Sequence, residues 1–226
     1  MQANLTQFQA GKRGVVRDTC WKCWWPRQYC WCELLPPMTV ATKFVFLMHP
    51  HEFKKVRAGT GRFAALSLAQ SEIHVGINFD NDAAVRTLIS DPRSFPVLLY
   101  PGPGARRIDT TPFAITELSG RRLTIFLLDA TWTLAWKMLK SSPMLQTLPQ
   151  ITFTPHSKSR FVIKRQPHVH CLSTLEAAHE LMLALDLAGL DNYERPNQML
   201  DAFIAMQDFQ IKSAVERHTP RHGPRR

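Results

Sequence analysis

The stretch RLTIFLLDATWTLAWKML, residues 122–139, changes its period in the middle. Its first part, RLTIFLL, is an apolar run of strand length, whereas ATWTLAWKML spaces its apolar side chains as a helix does. A single acid, Asp129, stands at the join. A strand apolar on both faces belongs to a parallel sheet, because crossover helices are what cover both sides of such a strand. The junction therefore predicts an α/β domain.

The same alternation continues on either side of it. KFVFLM (43–48), IHVGIN (73–78), PVLLY (96–100) and QITFT (150–154) predict further strands, and TGRFAALSLA (60–69) and DAAVRTLI (82–89) predict helices between them. Two longer helices close the series: STLEAAHELMLALDLAG (173–189), with Gly189 in the usual C-terminal position, and one from about Asn197 to Glu216. A chain of 226 residues suits one such domain with a small appendage. The expected division is an N-terminal segment 1–38, a body 39–212 and a basic tail 213–226. No apolar run approaches the length of a membrane span, and the first twenty residues lack the apolar centre of a signal peptide, which points to the cytoplasm.

Lysine and arginine number 28 against 18 acids, a formal net charge of +10, so a polyanion is the expected partner. The tail RHTPRHGPRR (217–226) holds part of the excess, and a solvated end would carry such a run without any partner. The excess recurs inside the chain, however, in KKVR (54–57), Arg106-Arg107, Arg121-Arg122 and KSRFVIKR (158–165), and this favours nucleic acid.

Four of the five cysteines crowd into CWKCWWPRQYCWC, residues 20–32. In a chain without a secretion signal, Cys20, Cys23, Cys30 and Cys32 at these spacings predict a tetrahedral structural zinc site rather than disulfides. Trp21, Trp24, Trp25, Tyr29 and Trp31 lie among them and suit either of two roles, stacking on RNA or packing the segment onto the body. Cys171 stands apart and reads as a small buried hydrophobe.

Ligands of such sheets lie beyond the carboxyl ends of the strands. Those ends carry His49-Pro50-His51-Glu52, Tyr100-Pro101-Gly102-Pro103-Gly104 and Asp129-Ala130-Thr131-Trp132, and the basic loop KSRFVIKRQP (158–167) with Arg160 and Lys164 follows the last strand. Neither a dinucleotide fingerprint nor a phosphate loop is present. His-Pro-His lacks the spacing that converges on one ion, so no catalytic metal is expected there. YPGPG has too many prolines to cradle a phosphate with N–H groups, yet it can shape a pocket for a flat ring. Asp129 has two readings. It is a cap for the helix that follows, or a general base in a low-dielectric cleft. Thr60 and Arg62 likewise read as a helix cap and a solvated cation, or as a clamp for a carboxylate. Ser173-Thr174-x-Glu176 has the pattern of a capping box, and Trp132 and Trp136, four apart, read as core.

Taken together these motifs resemble the DTW-domain family, the tRNA-uridine aminocarboxypropyltransferases. The carriers are the four cysteines, Thr60-Gly61-Arg62, Asp129-x-Thr131-Trp132 and Ser173-Thr174-Leu175-Glu176-Ala177, in this order across roughly residues 17–190. The resemblance implies a SPOUT-like fold, mostly parallel and closed by a trefoil knot. It implies transfer of the 3-amino-3-carboxypropyl group from S-adenosylmethionine to N3 of a tRNA uridine, in the bacterial branch at position 47 of the variable loop, with release of methylthioadenosine. It also implies catalytic roles for Asp129, Thr131 and Trp132. The donor would contact Thr60, Gly61, Arg62, Tyr100, Pro101, Gly102, Leu128, Arg160, Ser173, Thr174 and Glu176. For the donor carboxylate, Arg62 is the first candidate and Arg160 the second. Two rival readings remain at this point: an RNA methyltransferase of the same fold class, and a non-catalytic zinc-ribbon RNA-binding protein.

Overall fold

In the computed structural model, which describes residues 18–55, 59–163 and 171–218, six strands form one wholly parallel sheet. They are β1 Lys43–Met48, β2 Ser71–Val75, β3 Ser94–Leu99, β4 Arg106–Arg107, β5 Arg122–Asp129 and β6 Gln150–Thr152, in the order β2-β1-β5-β3-β6-β4. The described α-helices are α1 Pro50–Lys55, α2 Thr60–Ser67, α3 Ala83–Ser90, α4 Ile115–Leu118, α5 Trp132–Ser141, α6 Pro143–Gln146, α7 Thr174–Leu187 and α8 Gln198–His218, and the cysteine segment adds two single 3-10 turns, Arg27–Tyr29 and Cys32–Leu34. The expected α/β architecture with a parallel sheet is thus observed.

Successive residues of a strand face opposite sides, and in β1 and β5 both sides are apolar. Phe44, Phe46, Ile125 and Leu127 face one core, which they share with Phe63 of α2, Leu181 of α7 and Phe203 of α8. Val45, Leu47 and Phe126 face the other, with Val85 of α3, Met138 of α5 and Leu145 of α6. Three layers result, with the sheet in the middle.

The N-terminal cysteine segment belongs to the first core. The rings of Trp25 and Trp31 meet Phe209 of α8 edge-on at 6.0 and 5.9 Å, and both indoles are buried. Packing is therefore their role, while Trp21 remains 73% exposed. The entry to β1 is held from the far end of the chain, where the Asp191 carboxylate accepts the N–H groups of Ala41 (2.9 Å) and Thr42 (2.7 Å).

Four short elements carry no sequence signal strong enough to predict them. β4 consists of two arginines and has no apolar run, α1 is six residues long and mostly polar, and α4 and α6 are single turns. Helix α8 continues to His218, so the tail expected from 213 shares its first residues with a helix. Residues 219–226, Lys164, and Val56 and Arg57 of the KKVR run lie outside the described residues. No helix among the described residues is long and apolar enough to cross a membrane.

Candidate functional site

Parallel register brings the strand ends together. Met48 of β1 lies opposite Asp129 of β5, and Leu99 of β3 lies opposite Leu127. Asp129 ends the longest strand of the sheet and is 4% exposed. It does not cap α5, whose N-cap is Thr131 with no side-chain bond. Instead its Oδ1 accepts the Thr174 hydroxyl at 2.6 Å, so the first residue of α7 holds the carboxylate in place.

Gly61 closes the other side. A Cβ built on it would stand 2.2 Å from Asp129 Oδ2 and 2.4 Å from Cγ, closer than real Cβ atoms come, so any side chain there would displace the acid. The opening turn of α2 thus lies against Asp129, and the positive end of its dipole favours the carboxylate's charge.

Beside this acid is a pocket of about 320 Å³ lined by Leu99 at the end of β3 and Tyr100 after it, Leu127, Leu128 and Ala130 around the end of β5, and Trp132 and Ala135 of α5, and closed by Thr152 at the end of β6, Phe153 and Pro155 after it, Leu172 before α7, and Thr174 and Ala177 of α7. Pro101 completes the lining. Its walls are mostly apolar, as suits a flat ring or an alkyl chain. Burial raises the pKa of the Tyr100 phenol, which keeps it a neutral donor.

Of the residues expected to hold a donor, the pocket gathers Tyr100, Pro101, Leu128 and Thr174, with Trp132 of the signature. Gly102 backs against the Gln150 side chain, whose Oε1 would lie 2.4 Å from an added Cβ. Ser173 and Glu176 form the expected capping box. The buried Glu176 carboxylate accepts the N–H of Ser173 (2.8 Å), the hydroxyl of Ser159 (2.8 Å) and the N–H of Arg160 (2.5 Å), fastening the basic loop to α7. Arg160 itself is exposed, and Thr60 is the first residue of α2 behind the N-cap Gly59.

Arg62 has a different setting from the solvated or pocket-facing one. It is 4% exposed, its guanidinium lies 4.4 Å from the Trp24 ring and 5.3 Å from the Phe53 ring, and its Nη2 donates to the Phe53 carbonyl at 3.2 Å. Burial pulls its pKa down, while the charges of Asp129 and Cys23 pull it back up. This arginine therefore joins the cysteine segment to the acid. Trp24 adopts a left-handed φ of 64°, which costs a side-chain-bearing residue roughly 1–2 kcal/mol. Its stacking on Arg62 and its 4.5 Å edge contact with Phe53 offset that cost.

The four cysteines converge as their spacing predicts. Their sulfurs all lie within 4.8 Å of one another, with Cys20–Cys32 at 3.7 Å and Cys23–Cys30 at 3.8 Å, and none forms a disulfide. A tetrahedral ion at a metal–sulfur distance of about 2.3 Å requires sulfur pairs about 3.8 Å apart, so the donor set fits one. Burial works against a thiolate at Cys20, but the N–H groups of Cys23 and Lys22 and the neighbouring thiols bring its pKa to about 6.

What sequence reasoning missed are the apolar wall residues Leu99, Leu127, Ala135, Phe153, Pro155 and Leu172, while Ala177 entered only as part of the Ser173–Ala177 motif and not as a pocket wall. Ala177 sits three positions after Thr174 on one helix face, and Leu99 and Leu127 directly precede predicted site residues, so register arguments could have found them. The Trp24–Arg62 contact leaves no local trace in sequence.

A family model described as the DTW domain matches residues 17–211. The chain is 32% identical over 176 residues to the tRNA-uridine aminocarboxypropyltransferase 2 of Drosophila melanogaster, covering 75% of this chain and 67% of that protein. It is 28% identical to the proteins of the same name from Macaca fascicularis, covering 92% of this chain and 70% of that protein, and Mus musculus, covering 88% and 68%. No solved structure matches the chain.

Two outcomes follow from this geometry. Gly61→Ala must shift Asp129 or α2 and is expected to cost about 1–3 kcal/mol in denaturant melts, the usual range for overpacking; unchanged stability would show that the close approach is dispensable. Metal analysis of the purified protein is expected to find one ion per chain, and a chelator is expected to lower the melting temperature reversibly. A chelator without effect would mean that the four thiols hold no ion.

Proposed function

Because the chain belongs to the DTW-domain family, we propose that it transfers the 3-amino-3-carboxypropyl group of S-adenosylmethionine to N3 of a tRNA uridine. The observation that carries this reading is the buried Asp129, held by Thr174 and pressed by Gly61, beside an apolar pocket at the carboxyl edge of the sheet.

The donor's sulfonium makes its three attached carbons electrophilic. Product choice is therefore a matter of orientation, the propyl carbon and not the methyl being presented to the nucleophile. Bond formation between N3 and that carbon accompanies cleavage of the carbon–sulfur bond, whose electron pair stays on sulfur as methylthioadenosine leaves. Asp129 accepts the N3 proton. Thr174 holds one oxygen of this acid and so fixes the direction in which the carboxylate faces. Tyr100, Pro101, Leu128 and Phe153 form apolar walls suited to the donor's adenosine, and Trp132 stands where that pocket meets solvent. N3 is hidden in a base pair, so the uridine reacts unpaired.

The donor carboxylate needs a cation. Burial under Trp24 and Phe53 leaves Arg62 less free than expected to meet it, and supports a positioning role behind Asp129. Arg160 is exposed, and its backbone is anchored by Glu176. We assign Arg160 the carboxylate and Arg62 the electrostatic setting of the acid. Zinc is the ion that fits four thiolates and would hold the cysteine segment, and with it Trp24, in shape. The net charge of +10 supports binding of the tRNA backbone, weakening as salt rises, in the cytoplasm where tRNA is found.

Incubation with tRNA and the donor is expected to yield methylthioadenosine. Formation of S-adenosylhomocysteine would establish the rival methyl transfer, and failure to bind the donor would establish the non-catalytic reading. With both substrates saturating, Asp129→Asn should lower the single-turnover rate by roughly 10²-fold or more, and a full rate would remove the base from the mechanism. Arg160→Ala should weaken donor binding while leaving methylthioadenosine binding nearly intact. If Arg62→Ala alone produces that split, the two assignments are reversed.

A further inference from the structure

Helix α5 turns Ala135, Met138 and Leu139 inward and leaves Trp132, Thr133, Trp136, Lys137 and Lys140 exposed. The spacing of Trp132 and Trp136 reads as core, yet they are 44% and 52% exposed. Four residues apart, the indoles share one face and are separated by about 6 Å along the axis. Two large rings side by side in water need a physical reason. The α5 sequence WTLAWKMLKS contains no acid, and Lys140 Nζ lies 5.0 Å from the centroid of the Trp136 ring. Trp132 is also a wall of the pocket, so this strip begins where a substrate base must enter.

We propose that the exposed face of α5 is the docking strip for the unpaired RNA strand that carries the reacting uridine. Trp136 stacks on a base neighbouring that uridine, and Lys137 and Lys140 face its phosphates. The inference rests on the tRNA reading above and extends it to residues outside the family signature. Alternating aromatic and cationic groups are the means by which proteins hold single-stranded nucleic acid, since every base offers a π face and every phosphate a charge. A second copy of this chain is a poorer occupant, because two acid-free basic strips on molecules of charge +10 repel.

The test is the affinity of unmodified tRNA, measured by filter binding over a range of salt, with donor binding measured separately by calorimetry. Trp136→Ala should weaken tRNA about tenfold with its salt slope unchanged, the size of one lost stack. Trp136→Phe should recover most of the loss, and donor affinity should stay at the wild-type value in both. Lys137→Ala and Lys140→Ala should each lower the salt slope by about one. Trp136 is exposed, so the melting temperature should not move, and a variant that does melt early is judged by the phenylalanine substitution. Unchanged tRNA affinity in Trp136→Ala overturns the strip. A wild-type protein that binds tRNA through this strip but forms no methylthioadenosine overturns the proposed reaction and leaves the strip standing, and one that binds no tRNA overturns both.

Discussion

The hydrogen bond from the Thr174 hydroxyl to Asp129 Oδ1, 2.6 Å long, is the tie on which the arrangement turns. It joins the end of the central strand β5 to the start of α7 across 45 residues of chain. Asp129 could otherwise turn toward the N-terminus of α5, the ordinary place for an acid at a strand-to-helix junction. With Thr174 on one side and Gly61 on the other, the carboxylate is confined between two helix starts and the sheet edge. A buried charge survives only when such partners meet it.

A second tier of contacts sets the field around that acid. Arg62 is buried between Trp24 and Phe53, and its charge and that of Asp129 stabilise each other. Trp24 belongs to the cysteine segment, so the fold of a small knuckle reaches the centre of the site through one ring. Surface ion pairs would be worth little in such a role. A guanidinium shielded from solvent keeps more of its influence.

The strands β1 and β5 are legible in sequence because a strand buried on both faces is a short, nearly continuous apolar run, here followed closely by a change to polar residues or to helical spacing. The cysteine cluster is legible because four thiols at short spacing have few other uses. β4 is not, since two arginines on an edge strand satisfy backbone hydrogen bonds without any apolar signature. Asp129 shows the limit at the site. Its position at the join of two periods marks it, but its partner lies 45 residues downstream, and no local pattern distinguishes a capping acid from one held by Thr174. Trp132 and Trp136 show the converse. Helical spacing places them on one face and says nothing about whether that face is covered.

Many of the decisive contacts join the two ends of the chain. Gln198 donates to the Pro36 carbonyl across 162 positions, Asp191 holds Ala41 across 150, and Phe209 supports Trp25 and Trp31. During synthesis the early strands are made long before these partners exist, and loop closure over such distances is slow. The cysteine segment is the first part of the described chain to emerge, and its seat on Phe209 does not exist until α8 has been made. A chain cut short before α8 would therefore leave the cysteine segment, and with it Trp24 against Arg62, without this support even with Asp129, Thr174 and all four cysteines in place.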